Sequence, residues 1–308
     1  MISFANQNTR LRGYPTAMLP AGVDGQVAFD TDIGVPVYYF DSAWRRYSDD
    51  SIIASLGFDA DALAYIAAVE AEDGDDLEAG VKSAINDFVV GCKSDGIWTA
   101  IKSSCILAGA RTLTGALVPL KGTAPTNFNF VSGDYSRTTG LVGDGSTKYL
   151  NSNRNNNADP QNSVSHAVWI SVAQSTGGYV PIGAGYNLTG STRCSTSLDP
   201  LVSTIRIRTS ATMGSNPAAG AINNSFFGYR RSASNASLLR MNSIDYPRTE
   251  VSETPYDGNV FVFADNNNGS TVAITSSRLA FYSIGESLDL ALLDARVTTL
   301  INAYGAIL

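Results

Sequence analysis

Only one histidine, His166, occurs in the chain, and only three cysteines, Cys92, Cys105 and Cys194. A Ser-His-Asp or Cys-His arrangement would have to use that single imidazole, and no G-x-S-x-G turn is present to expose a nucleophilic serine. The same shortage disfavours zinc, which takes four nitrogen, sulfur or oxygen ligands. Three cysteines cannot all pair within one chain, and no CxxC or His/Cys cluster surrounds them. They read as buried free thiols of a protein made in a reducing cytosol. No apolar run approaches the ~20 residues that cross a bilayer, so membrane insertion is not expected. Residues 1–6 lack a basic region followed by an apolar core, so no secretion signal is expected either.

Charge is also scarce, at 16% of residues, and basic charge scarcer: 21 Lys and Arg stand against 28 Asp and Glu, a net charge of −7. Phosphate binding needs a basic footprint, so nucleic acid is not expected as a partner. A 44% hydrophobic share is nevertheless enough for a packed core. The 28 glycines and abundant small polar residues suit short strands joined by turns.

Patterning divides the chain into three regions, 1–50, 51–118 and 119–308. In the first, Asp24-Gly25 and Pro36 break short apolar runs such as Val27-Ala28-Phe29 and Val37-Tyr38-Tyr39-Phe40, predicting a small β-hairpin or meander. The second has helical spacing. Asp75-Asp76-Leu77-Glu78 reads as a capping box, followed by Leu77, Val81, Ile85, Phe88 and Val89 on one face. An earlier helix is expected to bury Leu63, Ile66, Ala67 and Glu70. A later one, opened by Ser94 or Asp95, carries Trp98, Ile101 and Cys105. The three form a small bundle, whose apolar stripe is its core.

The third region changes to period two, in Val168/Ile170/Val172, in Ile205/Ile207 against Arg206/Arg208, and in Val260/Val262 against Phe261/Phe263. Breaks at 151–157, Gly177-Gly178 and Asn266-Asn267-Asn268-Gly269 separate the runs. The fold class is mainly β: a C-terminal antiparallel sandwich or jelly roll, preceded by the helical bundle and the N-terminal β-module. A final helix places Leu290, Leu293, Val297, Leu300, Ile301 and Tyr304 on one face.

Two stretches carry a resemblance to known families. Gly25-Gln26-Val27-Ala28-Phe29-Asp30-Thr31-Asp32, with Trp44-Arg45-Arg46 after it, resembles the short β-modules near the start of phage tail-fibre and other virion proteins. Thr139-Gly140-Leu141-Val142-Gly143-Asp144-Gly145-Ser146-Thr147-Lys148-Tyr149-Leu150 is similar to the opening strand pair of concanavalin A-like, laminin-G-type domains. The stretch 278–285 resembles their last strand, and 85–111 with 116–120 resembles the segment preceding them in phage structural proteins. The resemblance spans about residues 60–308. It implies a lectin-like sandwich in a bacteriophage virion, made in the host cytoplasm. It further implies a homotrimeric fibre or spike that meets other virion proteins through its N-terminal module.

Three functions follow as expectations. The first is adhesion to a host-surface glycan or receptor, the second a purely structural head or neck fibre or decoration, the third a polysaccharide depolymerase. Glycosidases of this fold carry E-x-D-x-x-E on one strand, and no such run occurs. Glu250 and Glu253, three apart, would face opposite ways on a strand, and Asp257 and Asp265 read as turn residues. The chain is therefore expected not to be an enzyme, and no cofactor is expected. The laminin-G resemblance implies Ca²⁺ at a loop rim, yet 265–269 and Asp144-Gly145 read first as turns. For a glycan, the candidate contacts are Tyr186, Asn187, Tyr229 and Arg230, from the segments 186–187, 151–157 and 226–231 that offer aromatic faces and amides.

Overall fold

A computed structural model describes residues 11, 13–14, 19, 24–31, 35–40, 43–48, 58–175, 178–186, 189–197, 204–209 and 222–308. The chain divides into two compact units, 1–63 and 64–308.

In the first unit, β1 (Gly13–Tyr14), β2 (Val27–Asp30), β3 (Val35–Phe40) and β4 (Ala43–Arg46) form one sheet in that order. The β1–β2 pair is parallel and the other two are antiparallel. Its core is Ala28, Val37 and Trp44, with Tyr39 edge-on to Trp44 at 5.6 Å.

The second unit opens with α1 (Ala60–Asp73), α2 (Ala79–Ser94), β5 (Ile101–Ile106) and the single turn α3 (Leu113–Ala116). The strands β6 (Thr126–Phe128), β7 (Tyr135–Ser136), β8 (Gly140–Val142), β9 (Tyr149–Asn155) and β10 (Val164–Val172) follow. Then come β11 (Gly178–Tyr179), β12 (Ile182–Tyr186), β13 (Thr189–Ser197), β14 (Thr204–Ile207) and β15 (Ser225–Ala233). The unit ends with β16 (Ala236–Met241), β17 (Ile244–Arg248), β18 (Asn259–Val262), β19 (Asp265–Asn267), β20 (Ser270–Val272), β21 (Arg278–Gly285) and α4 (Leu290–Ile307).

These strands make two sheets. The first runs β17-β16-β15-β10-β21-β8-β7, with β5 also paired to β21. The second runs β11-β13-β12-β18-β9-β6, with β14 on β13 and the β19–β20 hairpin on β12. Val168, Ile170, Phe227, Tyr229, Leu239 and Tyr282 of the first sheet share one core with Leu150, Ile182, Val260 and Val262 of the second. The expected mainly β, sandwich-bearing fold is what the chain adopts.

A helical layer covers the outer face of the first sheet. Trp169, Phe226 and Phe281 alternate with core residues and would face water in a bare sandwich, yet each is at most 4% exposed. Phe88 of α2 meets Phe281 at 5.8 Å, and Asp294 of α4 accepts from Arg240 of β16 at 2.8 Å. The two helices approach closely where Gly91 lies against Arg296 and Gly80 against Ile307. All six residues expected on the inner face of α4 are buried.

Several local expectations are corrected. The segment expected as a third helix is the strand β5, paired antiparallel to β21 from Ile101 to Ile106. It is covered on both faces, so Ser103 and Ser104 are as buried as Ile101 and Cys105, and no two-residue alternation marks it. It joins the sandwich to the residues before 119, so the helical region is not a separate bundle. On α1 the buried stripe is Ala62, Tyr65, Ile66 and Val69, rotated from the expected one, and Leu63 is 48% exposed. The capping box does not form: Asp75 accepts from the Asp76 amide, while Glu78 receives both terminal nitrogens of Arg137. The Arg137 hydrogen bonds hold the Glu78 carboxyl down at about 2. The asparagine-rich break at 151–157 is largely β9, and Phe226-Phe227-Gly228-Tyr229-Arg230-Arg231 lies within β15.

Candidate functional site

On the second sheet, the edge strand β6 is exposed along its length among the described residues. Along β9, Leu150 and Ser152 point into the sandwich, so Tyr149 and Asn151 point outward. Register places Phe128 of β6 opposite Tyr149 and Thr126 opposite Asn151. On the other flank Asn151 lies opposite Phe261 of β18.

These positions build an aromatic strip. The rings of Phe128 and Tyr149 stack with centroids 4.4 Å apart and planes within 5°, and Tyr149 meets Phe261 at 4.8 Å. Phe128 is 36% exposed, Tyr149 half-buried and Phe261 buried, so the strip grades from solvent into the sheet. Amides border it. Asn153 adopts a left-handed backbone (φ 56°) and turns its Nδ2 to the Ala124 carbonyl and the Thr126 hydroxyl, at 2.9 and 3.0 Å. Asn151 Oδ1 accepts the Asn153 amide at 2.9 Å, leaving the Asn151 side-chain N–H groups without an acceptor among the described residues. The outer Phe128 ring, edged by amide and hydroxyl groups, can hold the C–H face of a sugar ring while those groups bond its hydroxyls.

None of the expected contacts is among the residues of this strip. Tyr229 is fully buried, its hydroxyl donating to the Ile182 carbonyl at 3.0 Å, so it bridges the two sheets and cannot meet a surface ligand. Arg230, its neighbour on β15, faces the opposite side of that sheet, so the two do not share a site. Tyr186 ends β12, where its backbone pairs with Thr189, and Asn187 lies outside the described residues. Of the segments proposed for sugar contact, 151–157 alone borders the strip. Phe128, Thr126 and Phe261 went unread as site residues. The signal was present in Tyr149-Leu150-Asn151-Ser152-Asn153, an alternation in which asparagine occupies the outward positions.

His166 is buried, its Nδ1 3.0 Å from the Tyr229 hydroxyl. Burial, with Arg208 and Arg154 adding to it, pushes its pKa down to about 3. Asp159 is bound through both oxygens by Arg154. Glu250 and Glu253 lie in an irregular segment, not on a strand, and Asp265 is a buried residue of β19 and not a turn residue. The turn of that hairpin is Asn268-Gly269, at φ 54° and 84°, as a two-residue type I′ connection requires. Burial tends to raise the Asp144 carboxyl, but donation from the Thr147 hydroxyl and the amides of 146, 147 and 148 holds it well below the usual carboxylate range. Its lone pairs are committed to the turn. Among the described residues, no three His, Cys, Asp or Glu side chains cluster as metal ligands would. Among the same residues no helix is long and apolar enough to cross a membrane.

No family model matches the chain, and no curated protein matches it. Among solved structures, the binding domain of botulinum neurotoxin serotype D aligns at 12% identity and TM-score 0.44, over 65% of this chain and 51% of that one. A mutant of Trypanosoma rangeli sialidase displaying trans-sialidase activity aligns at 8% and 0.40, over 71% and 39%. The NanB sialidase from Streptococcus pneumoniae aligns at 13% and 0.36, over 48% and 27%. The chain spans about half or less of the length of each. Similarity of this degree carries no functional argument.

Proposed function

We propose that the chain is a non-enzymatic adhesive subunit of a bacteriophage virion, a tail fibre or spike that holds a host-surface glycan on the outer face of its second sheet. The observation that carries the binding reading is the parallel, face-stacked Phe128–Tyr149 pair, whose outer Phe128 ring is 36% exposed beside Asn151 and Asn153. A stacked pair on a strand surface contributes to stability only weakly when half exposed, whereas the outer ring, held by the one stacked on it, offers a ligand an apolar face at little entropic cost. Placement on a virion rests on the sequence resemblance of the N-terminal and C-terminal segments. In this reading the N-terminal sheet joins the subunit to its copies, as a homotrimer, and to other virion proteins.

Glycan-array binding of the parent, Phe128→Ala and Tyr149→Ala tests the site. The parent is expected to bind a defined set of glycans, and each variant to bind at least about tenfold more weakly with unchanged melting. A parent that binds no glycan, or variants that bind equally well, would leave the purely structural role in its place.

A further inference from the structure

A second concave surface lies at the open side of the sandwich, at the end of the ribbon that carries the aromatic strip. It is a cleft of about 180 Å³ lined by Lys102, Ser103, Thr123, Asn153, Arg154 and Asn155 among others. Asn153 belongs to both surfaces. Its amide reaches Thr126, which shares a face of β6 with Phe128, and it also lines the cleft. From Tyr149 to Asn153 along β9 is about 13 Å, at ~3.3 Å per residue.

Two cations line this cleft, with carboxylates bound behind Lys102, Arg154 and Asn155 from Glu286, Asp159 and Asp257. Acidic groups outnumber basic ones 28 to 21 over the chain, yet two cations and no carboxylate line the cleft. Each cation is anchored from behind and keeps donors to spare. Arg154 binds Asp159, itself 3% exposed, through Nε and Nη2, which leaves Nη1 without an acceptor among the described residues. Lys102 makes one ion pair, at 2.8 Å to Glu286, and both of those side chains are at least a third exposed. An exposed pair of this kind is weak and readily exchanges its carboxylate for another. Thr123 adds a hydroxyl to the lining, while the amides of Asn153 and Asn155 are committed to Ala124, Thr126 and Asp257.

We infer that the cleft binds the carboxylate of an acidic polysaccharide, with a uronic-acid residue seated between Lys102 and Arg154 and a neighbouring ring of the same chain on Phe128–Tyr149. This deepens the glycan-binding reading and rests on it. The carboxylate accepts from Arg154 Nη1 and Lys102 Nζ, while Asp159 keeps the guanidinium fixed in orientation.

The test uses the full chain against alginate, polygalacturonate and hyaluronate, each paired with its carboxyl-reduced, neutral counterpart. The parent is expected to bind at least one acidic polymer about tenfold more tightly than its reduced form, with the preference shrinking as salt rises. Lys102→Gln should erase most of that preference and leave binding to the reduced form unchanged, and Lys102→Arg should restore it. Tyr149→Ala should weaken binding to both forms. Equal binding of every acidic and reduced pair, or a preference untouched by Lys102→Gln, overturns the cleft assignment. If Tyr149→Ala still weakens binding in that case, the aromatic strip stands without the cleft. If Lys102→Gln acts and Tyr149→Ala does not, the cleft binds acidic sugar and the strip assignment fails.

Discussion

His166 gives its Nδ1 proton to the hydroxyl of Tyr229 across 3.0 Å, because that hydroxyl has committed its own proton to the Ile182 carbonyl. Burial, with Arg208 and Arg154 adding to it, holds the imidazole neutral inside the sandwich, with its pKa at about 3. In the unfolded chain the same group titrates near 6.5. Between about pH 6.5 and 3 the unfolded chain binds a proton that the folded protein refuses. Stability therefore falls as pH drops through that window, by up to about 1.4 kcal/mol per pH unit. His166→Gln should flatten this dependence. Melting temperatures of parent and variant at pH 7 and pH 4 check it, and equal slopes would contradict the assignment.

Leu293 is fully buried beneath α4. Leu293→Asp places a carboxylate against the outer face of the first sheet without a partner, and should destabilise by about 3 kcal/mol or more. Loss of soluble expression, or a melting temperature lowered by several degrees, is the expected result. Unchanged melting would show that the helix is not docked there.

The pairing of β5 with β21 sets where the chain can be cut. A fragment of residues 64–308 should fold. A fragment starting at 119 loses β5 and α2 together, which exposes Phe281 and leaves part of the β21 edge unpaired. Circular dichroism melts of the two fragments decide the matter: a cooperative transition in the shorter one would refute the dependence.

Among the described residues the first unit buries Ala28, Val37 and Trp44 together, while Phe40 is 56% and Tyr47 41% exposed. A module of about 50 residues buries little core alone. Light scattering of the full chain should return about three times its 32.5 kDa mass, and deletion of residues 1–58 should reduce the product to the monomer. A monomeric parent at micromolar concentration would rule out the trimer.

Long amphipathic elements were legible before the structure. The six apolar positions of α4 and the Val81–Ile85–Phe88–Val89 face of α2 follow from spacing alone, because each helix has one wet side. β5 was not legible, since sheet and helices bury it on both faces and its serines mimic a polar helical face. Tyr229 misled for a related reason: an aromatic beside two arginines looks like a binding loop, but its hydroxyl is satisfied by Ile182 across the core. The strip escaped notice because it is assembled from β6, β9 and β18, which only strand register brings together. Asn153 compounds this, its left-handed backbone making a strand look like a loop.

The helical layer on one sheet makes the sandwich unequal in what its two outer surfaces can absorb. Trp169, Phe226 and Phe281 are locked under α2 and α4, so changes there propagate into packing. Thr126, Phe128 and Asn151 support no second layer. Randomising those three positions would yield a library whose members differ in what they capture while sharing one core, and the chain could serve as a display scaffold with a single variable face.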